Sequence, residues 1–125
     1  MLHFELWVAP GKNRSEIRRL LGKSYRVARR ITSEGGGVGP WVFLVSRDPR
    51  NPKTPRLRKM LGLRPNEDLW IELVFYPNKS RMRGIIKRIW KDQEFNASAA
   101  RIDQLLSNRK AGYHATIAYA SIVRA

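Results

Sequence analysis

Cysteine is absent from the chain, which excludes disulfides, thiolate metal sites and cysteine nucleophiles. That absence also fits a reducing compartment. Acidic residues are scarce, with 10 Asp and Glu against 25 Lys and Arg. Histidine occurs twice, and without a converging acidic cluster two histidines make a poor metal site, so neither metal nor cofactor is expected. No apolar run approaches the roughly 18 residues that a membrane-spanning helix needs. The opening MLHFELWVAP has no basic stretch ahead of its apolar segment and contains Glu5, so it reads as a first strand rather than a signal peptide. A cytoplasmic protein with no membrane partner is the expectation.

What is present in excess is positive charge. A net charge of +15 and a pI near 11.3 create a long-range field that attracts polyanions and weakens with salt. Nucleic acid is the commonest partner of such a surface. Apolar content of 42% over 125 residues, with four tryptophans, is enough for one domain with a real core, and the whole of 1–125 is read as that domain.

Along the chain, HFELWVA (3–9) alternates, placing Phe4, Leu6 and Val8 on one face and His3, Glu5 and Trp7 on the other. From Ser15 to about Ile31, Ile17, Leu20, Leu21, Tyr25, Ala28 and Ile31 form a helical stripe opposite Arg18, Arg19, Lys23, Arg26, Arg29 and Arg30. Asn13 and Glu16 have the spacing of a capping box for this helix. SEGGGVGPW (33–41) has the glycines of a phosphate loop but a helix before it and a strand after it, the reverse of what anion binding needs, and is read as a flexible connector.

WVFLVS (41–46) is read as a strand with both faces at least partly covered. Residues 47–68 shift to a basic, proline-rich excursion with four prolines and seven basic residues. A short helix within it is capped by Thr54-Pro55 and Gly62. LWIELVFY (69–76) alternates again, with Trp70, Glu72, Val74 and Tyr76 on one face. In KSRMRGIIKRIWKDQ (79–93), Met82, Ile85, Ile86, Ile89 and Trp90 form an apolar stripe, and Arg81, Arg83, Lys87, Arg88 and Lys91 fill the remainder. A further helical piece spans about Ser98–Ser107, and YHATIAYASIV (113–123) closes the chain as a strand.

The resulting order predicts an α+β, ferredoxin-like βαββαβ domain, a four-stranded antiparallel sheet with two helices on one face. Right-handed crossovers favour the spatial order 4-1-3-2. The fully apolar strand faces are expected beneath the helices. The second face, carrying His3, Glu5, Trp7, Trp70 and Glu72, is then left for an interface or a pocket. There Glu5 and Glu72 either pair with an arginine of a second subunit or share a pocket in which one carboxyl pKa rises, which suits proton transfer.

HFELWVAPGKNRSEIRRL, LWIELVFYPNKSRMRGIIKRIWKDQ and YHATIAYASIV resemble an uncharacterised family of small ferredoxin-like proteins in the dimeric α+β barrel superfamily. The closest echo is a strand ending in Tyr76 followed by Lys79-Ser80-Arg81 at the start of a helix. The resemblance implies a homodimer through the sheet face and supplies no catalytic residues. The basic excursion and the arginine density of both helices depart from it.

For function, the first expectation is nucleic-acid binding through phosphate contacts, RNA slightly ahead of DNA, from Arg18, Arg19, Lys23, Arg26 and Arg30, from Arg56, Arg58 and Lys59, and from Arg83, Lys87 and Lys91. Reading of single-stranded RNA on the sheet face is disfavoured, because LWIELVFY lacks the aromatic motif such modules place on the third strand. The alternative is a small molecule bound or transformed in the pocket of His3, Glu5, Trp7, Trp70 and Glu72. No Ser-His-Asp constellation is evident, and an enzyme is the less favoured outcome.

Overall fold

The structure, a computed structural model, describes residues 1–45, 47, 50, 53–107 and 117–120, with backbone only for Thr54 and for 117–120. It is a mixed α+β fold whose main sheet has three long antiparallel strands. These are β1 (Leu2–Pro10), β2 (Val38–Leu44) and β3 (Glu67–Phe75), with β3 in the middle of the three. The helices are α1 (Arg14–Glu34), α2 (Lys53–Met60), α3 (Lys79–Ile89) and α4 (Gln93–Leu105). A four-residue strand, β4 (Ile117–Ala120), runs antiparallel along the free edge of β1. The remainder of the expected closing strand, including Tyr113 and His114, lies outside the described residues.

β1 and β3 pair over nine residues, from Leu2 opposite Phe75 to Pro10 opposite Glu67. This register sets Glu5 directly opposite Glu72 and Trp7 opposite Trp70. Residues directly opposite in an antiparallel pair share a face. One face of the sheet therefore carries His3, Glu5, Trp7, Trp70, Glu72 and Val74, and the other carries Leu2, Phe4, Leu6, Ile71, Leu73 and Phe75.

The helices cover the first of these faces, which overturns the expected assignment. Trp7, Trp70, Val74 and Tyr76 are buried in one cluster with Ile17, Leu20, Tyr25, Ala28 and Ile31 of α1, Ile85 and Ile89 of α3, and Phe95, Ile102 and Leu105 of α4. The physical reason is one of parity. Alternation divides a strand into two faces but does not say which one a crossover helix will meet, and here both faces are apolar enough to be covered. Bulky rings from the strands also complement α1, whose buried positions include the small Ala28 and Ser24.

α1 packs against both α4 and α3. Ion pairs link it to each of them, Glu16 in its first turn with Arg101 at 2.8 Å and Glu34 in its last with Arg88 at 2.6 Å. The capping box does not form. The Asn13 side chain donates instead to the Leu105 carbonyl at 2.9 Å, and Glu16 is engaged by Arg101. The two later helices are capped locally: Asn78 Oδ1 accepts from the Arg81 amide, and Asp92 Oδ1 from that of Phe95, so α3 and α4 are separate helices broken at Trp90–Asp92.

The glycine-rich connector is a hydrogen-bonded turn. The Gly35 and Gly37 amides donate to carbonyls in the last turn of α1, and Gly36 takes φ +84°. A Cβ at Gly35 would lie 2.5 Å from Ile85, so glycine there lets α1 end directly against α3. α2 starts at Lys53, which makes Pro55 its third residue rather than its first, and Gly62 follows its end at φ +64°.

Candidate functional site

Between the sheet and the helices lies a cavity of about 350 Å³. Its floor comes from β1 and β3, which contribute His3, Glu5, Trp7, Glu72 and Val74, and from Tyr76 just after β3; its roof comes from α1, α3, α4 and the turn between the last two. Pro40, set by the irregular register of β2 between Val38 and Trp41, closes one side.

Aromatic rings form a continuous wall. Trp7 stacks near Tyr25 at 6.3 Å, Tyr25 meets Phe95 edge-on at 5.9 Å, and Phe95 meets Trp90 edge-on at 5.2 Å. Across the floor, His3 stacks near Tyr76 at 6.3 Å. Trp90 stands at the break between α3 and α4 and is 52% exposed, so it lies where the cavity meets solvent.

The polar groups converge on the glutamate pair. Tyr25 Oη donates to Glu72 Oε2 at 3.3 Å, and Tyr25 is the sole hydrogen-bond partner of that carboxyl among the described residues. Burial pushes the Glu72 carboxyl up to about 8, the neighbouring Glu5 charge adds to the rise, and the Tyr25 bond partly opposes it. Glu72 keeps some accessible surface because it faces the cavity, while protein atoms crowd it on its other sides.

Glu5 is also raised, first by burial and then by Asp103; the Trp7 indole, which donates to it, works the other way. Burial lowers His3, and burial followed by the charges of Glu72 and Glu5 raises Tyr25 well above its ordinary value. Near neutral pH, Glu72 therefore carries a proton, His3 is uncharged and Tyr25 remains a phenol. The arrangement can give a proton to a bound molecule or take one from it.

Of the five residues expected in a pocket, His3, Glu5, Trp7 and Glu72 line this cavity. Trp70 does not; it is 2% exposed and belongs to the packed core. The location expected for them is corrected as well. They lie beneath the helices, so Glu5 and Glu72 are turned away from the outer sheet face and from any arginine that a second subunit would present there. Tyr25, Trp90, Phe95 and Asp103 also line it and were not singled out in the sequence as site residues. Tyr25 and Trp90 read there simply as members of helical apolar stripes. Among the described residues no group of three or more His, Asp or Glu is arranged to hold a metal ion, and no helix is long and apolar enough to cross a membrane.

The basic residues divide into two sets. Arg18, Arg19, Lys23, Arg26 and Arg30 are exposed along α1, Arg56 and Lys59 along α2, and Arg83, Lys87 and Lys91 on α3 and the turn after it. Arg58 is half-buried and donates to the carbonyls of Arg64 and Glu67, so it holds the excursion in place.

A second polar centre, missed in the sequence, accounts for this. Asp68 is almost wholly buried and receives a bidentate pair from Arg14, Nε to Oδ2 and Nη2 to Oδ1, both at 2.8 Å. Arg47 reaches Asp68 Oδ1 at 3.1 Å and also donates to the carbonyls of Pro65 and Glu67. Burial raises Asp68, but the bonds and charges of Arg14 and Arg47 outweigh it, and its pKa ends below the ordinary value. Beside it, Glu67 accepts from Ser107 Oγ at 2.6 Å and from the Arg64 amide at 2.8 Å. The only signal in the sequence was two adjacent acids at the head of an apolar strand. No family model matches the chain, and no curated protein matches it at significant similarity.

Proposed function

We propose that this protein holds a compact small molecule in the cavity between sheet and helices, with the polar end of that molecule against Glu5 and Glu72. One observation carries the reading: two glutamates directly opposite each other on the central strands open into an aromatic cavity instead of solvent, and one of them is pushed up to about 8. Burying two carboxyls side by side costs stability unless something offsets it, and sites that do so are commonly functional. The volume lies at the lower end of the roughly 300–1,000 Å³ typical of ligand pockets, which suits a compact ligand.

The test is a screen of compact aromatic alcohols, amides, amines and acids, read by tryptophan fluorescence, because Trp7 and Trp90 both line the cavity. Ala99→Phe, a substitution within the lining, should fill the space and abolish the signal. Binding that survives this substitution would place the ligand elsewhere and overturn the reading.

A ferredoxin-like four-stranded sheet, with β4 as its fourth strand, and a homodimer through the sheet are part of the same proposal. The dimer surface is the outer face of the sheet, not the face with the glutamates. Trp41 is 48% and Phe43 51% exposed there, beside half-buried Phe4, Leu6, Ile71 and Leu73, and the one charged residue that the three long strands place on this face, Glu67, is buried at its end.

Nucleic-acid binding is the second reading, favoured by the exposed cations of α1 and α3. The two acids on the back of α1, Glu16 and Glu34, are already neutralised by Arg101 and Arg88, which leaves the remaining charge uncompensated. RNA stands slightly ahead of DNA as the target. Anisotropy against duplex RNA, duplex DNA and single strands tests it: Arg83, Lys87 and Lys91 changed together to Glu should abolish binding, and unchanged affinity removes α3 from the surface.

A further inference from the structure

The lining of the cavity has a composition opposite to that of the chain. In a protein with a net charge of +15, no Lys or Arg among the described residues lines it. Among the described residues, the titratable groups that share the cavity with Glu72 are Glu5 and His3 from β1, Tyr25 from α1, Tyr76 just after β3 and Asp103 from α4. Three carboxyl groups thus meet a wall of aromatic rings with no cation among the described residues to balance them. We infer that the cavity is a receptor for an organic cation, an alkylammonium or aryl-alkylammonium group held between the Glu5–Glu72 pair and the rings of Trp7, Tyr25 and Phe95. The inference rests on the ligand-binding reading above and supplies the class of ligand.

Two independent features support it. The first is the ring wall, since aromatic faces attract cations through their quadrupoles, most strongly where water is excluded. The second is the carboxyl group of Glu72, whose second oxygen has no hydrogen-bond partner among the described residues although its surroundings are crowded. A bound ammonium would supply both the missing partner and the missing charge. Neutral polar ligands would satisfy the hydrogen bond and leave the charge deficit in place. Anions would meet Glu5 and Asp103 at close range. The field of the whole molecule repels cations, so uptake of one has to come from this local arrangement and not from general attraction.

A cation would favour the ionised form of Glu72, so binding should release a proton. With a pKa near 8, about a tenth of Glu72 is ionised at pH 7, and the apparent affinity should rise roughly tenfold between pH 7 and pH 9.

The experiment titrates benzylammonium, benzyl alcohol and benzoate into the full chain, by calorimetry in buffers of different ionisation enthalpy and by tryptophan fluorescence. The expected result is saturable binding of the ammonium, at least tenfold tighter than the alcohol, no binding of benzoate, and release of up to one proton at pH 7. Ala99→Phe should abolish binding, and Glu72→Gln should remove the proton release. If benzyl alcohol or benzoate binds as tightly and Ala99→Phe blocks it, the pocket stands and the cation inference is overturned. If none of the three binds at 10 mM, or the ammonium binds Ala99→Phe unchanged, the inference and the pocket reading both fail.

Discussion

The two faces of one sheet use their residues in opposite ways. Beneath the helices, successive β1–β3 pairs are His3 with Val74, Glu5 with Glu72 and Trp7 with Trp70; on the outer side they are Leu2 with Phe75, Phe4 with Leu73 and Leu6 with Ile71. The enclosed side is the more polar of the two and the outer side the more uniformly apolar. A simple inside–outside rule predicts the reverse. Enclosed polarity that packing does not require is the signature of a site, and an apolar face left half-covered is the signature of a contact. Neither feature would mean much without the other side for comparison.

Removing a ring from each face should break the symmetry most strongly. Trp70→Ala empties a fully packed position and should cost about 3–5 kcal/mol, whereas Phe43→Ala, half-exposed, should cost under about 1 kcal/mol in the monomer. Urea unfolding measures both, and equal losses would show that the outer face is as well covered as the inner.

Acidity separates the faces next. Because Glu72 is raised in the folded chain, its contribution to stability is complete below the ordinary carboxyl pKa and is lost as pH rises toward about 8. Stability should therefore fall between about pH 4.5 and pH 8, by as much as about 1.4 kcal/mol per pH unit. Glu5 acts in the same direction. Glu72→Gln should flatten this slope, while Phe43→Ala should leave it unchanged. A slope that persists in Glu72→Gln and disappears only in Glu5→Gln would move the main titration to the other member of the pair.

Asp68 sharpens the contrast from outside the cavity, as a buried acid that does have its cations. Its folded pKa is depressed, so its contribution is present above the ordinary carboxyl value and is lost as pH falls through the folded one. Asp68→Asn should leave Arg14 and Arg47 without their carboxylate and cost about 3 kcal/mol at neutral pH, with a diminishing cost under acid. Acid unfolding of the two proteins compares them.

The smallest effect on folding should come from Trp41→Lys with Phe43→Lys, because both positions are half-exposed. In a homodimer through this face, the same pair should convert dimer to monomer in sedimentation. No change in mass would detach the dimer from the outer sheet.

Much of the site was legible residue by residue. Strict alternation in HFELWVA and LWIELVFY places His3, Glu5 and Trp7 together and Glu72 with Val74 and Tyr76, and an antiparallel β1–β3 pair brings the glutamates opposite one another. The helical stripes were equally plain, since Ile17, Leu20, Ala28, Ile85 and Ile89 are buried where a 3.6-residue period puts them. Arg58, by contrast, read like any other cation of the excursion, because its bonds to the Arg64 and Glu67 carbonyls leave no trace in a helical or strand period. Asn13 and Glu16 matched a local capping rule and were each drawn to a partner on α4 instead.

The sequence alone determined the element order, the two faces of each strand, the apolar side of each helix and the excess of charge, because each follows from composition or from a period of a few residues. Tertiary structure decided which strand face the helices cover, and with it that the glutamates are enclosed, that Tyr25 reaches Glu72, and that Arg14 and Arg47 serve the buried Asp68 of β3. Those outcomes depend on the side to which a long crossover brings a helix, and a period of two residues is blind to that choice.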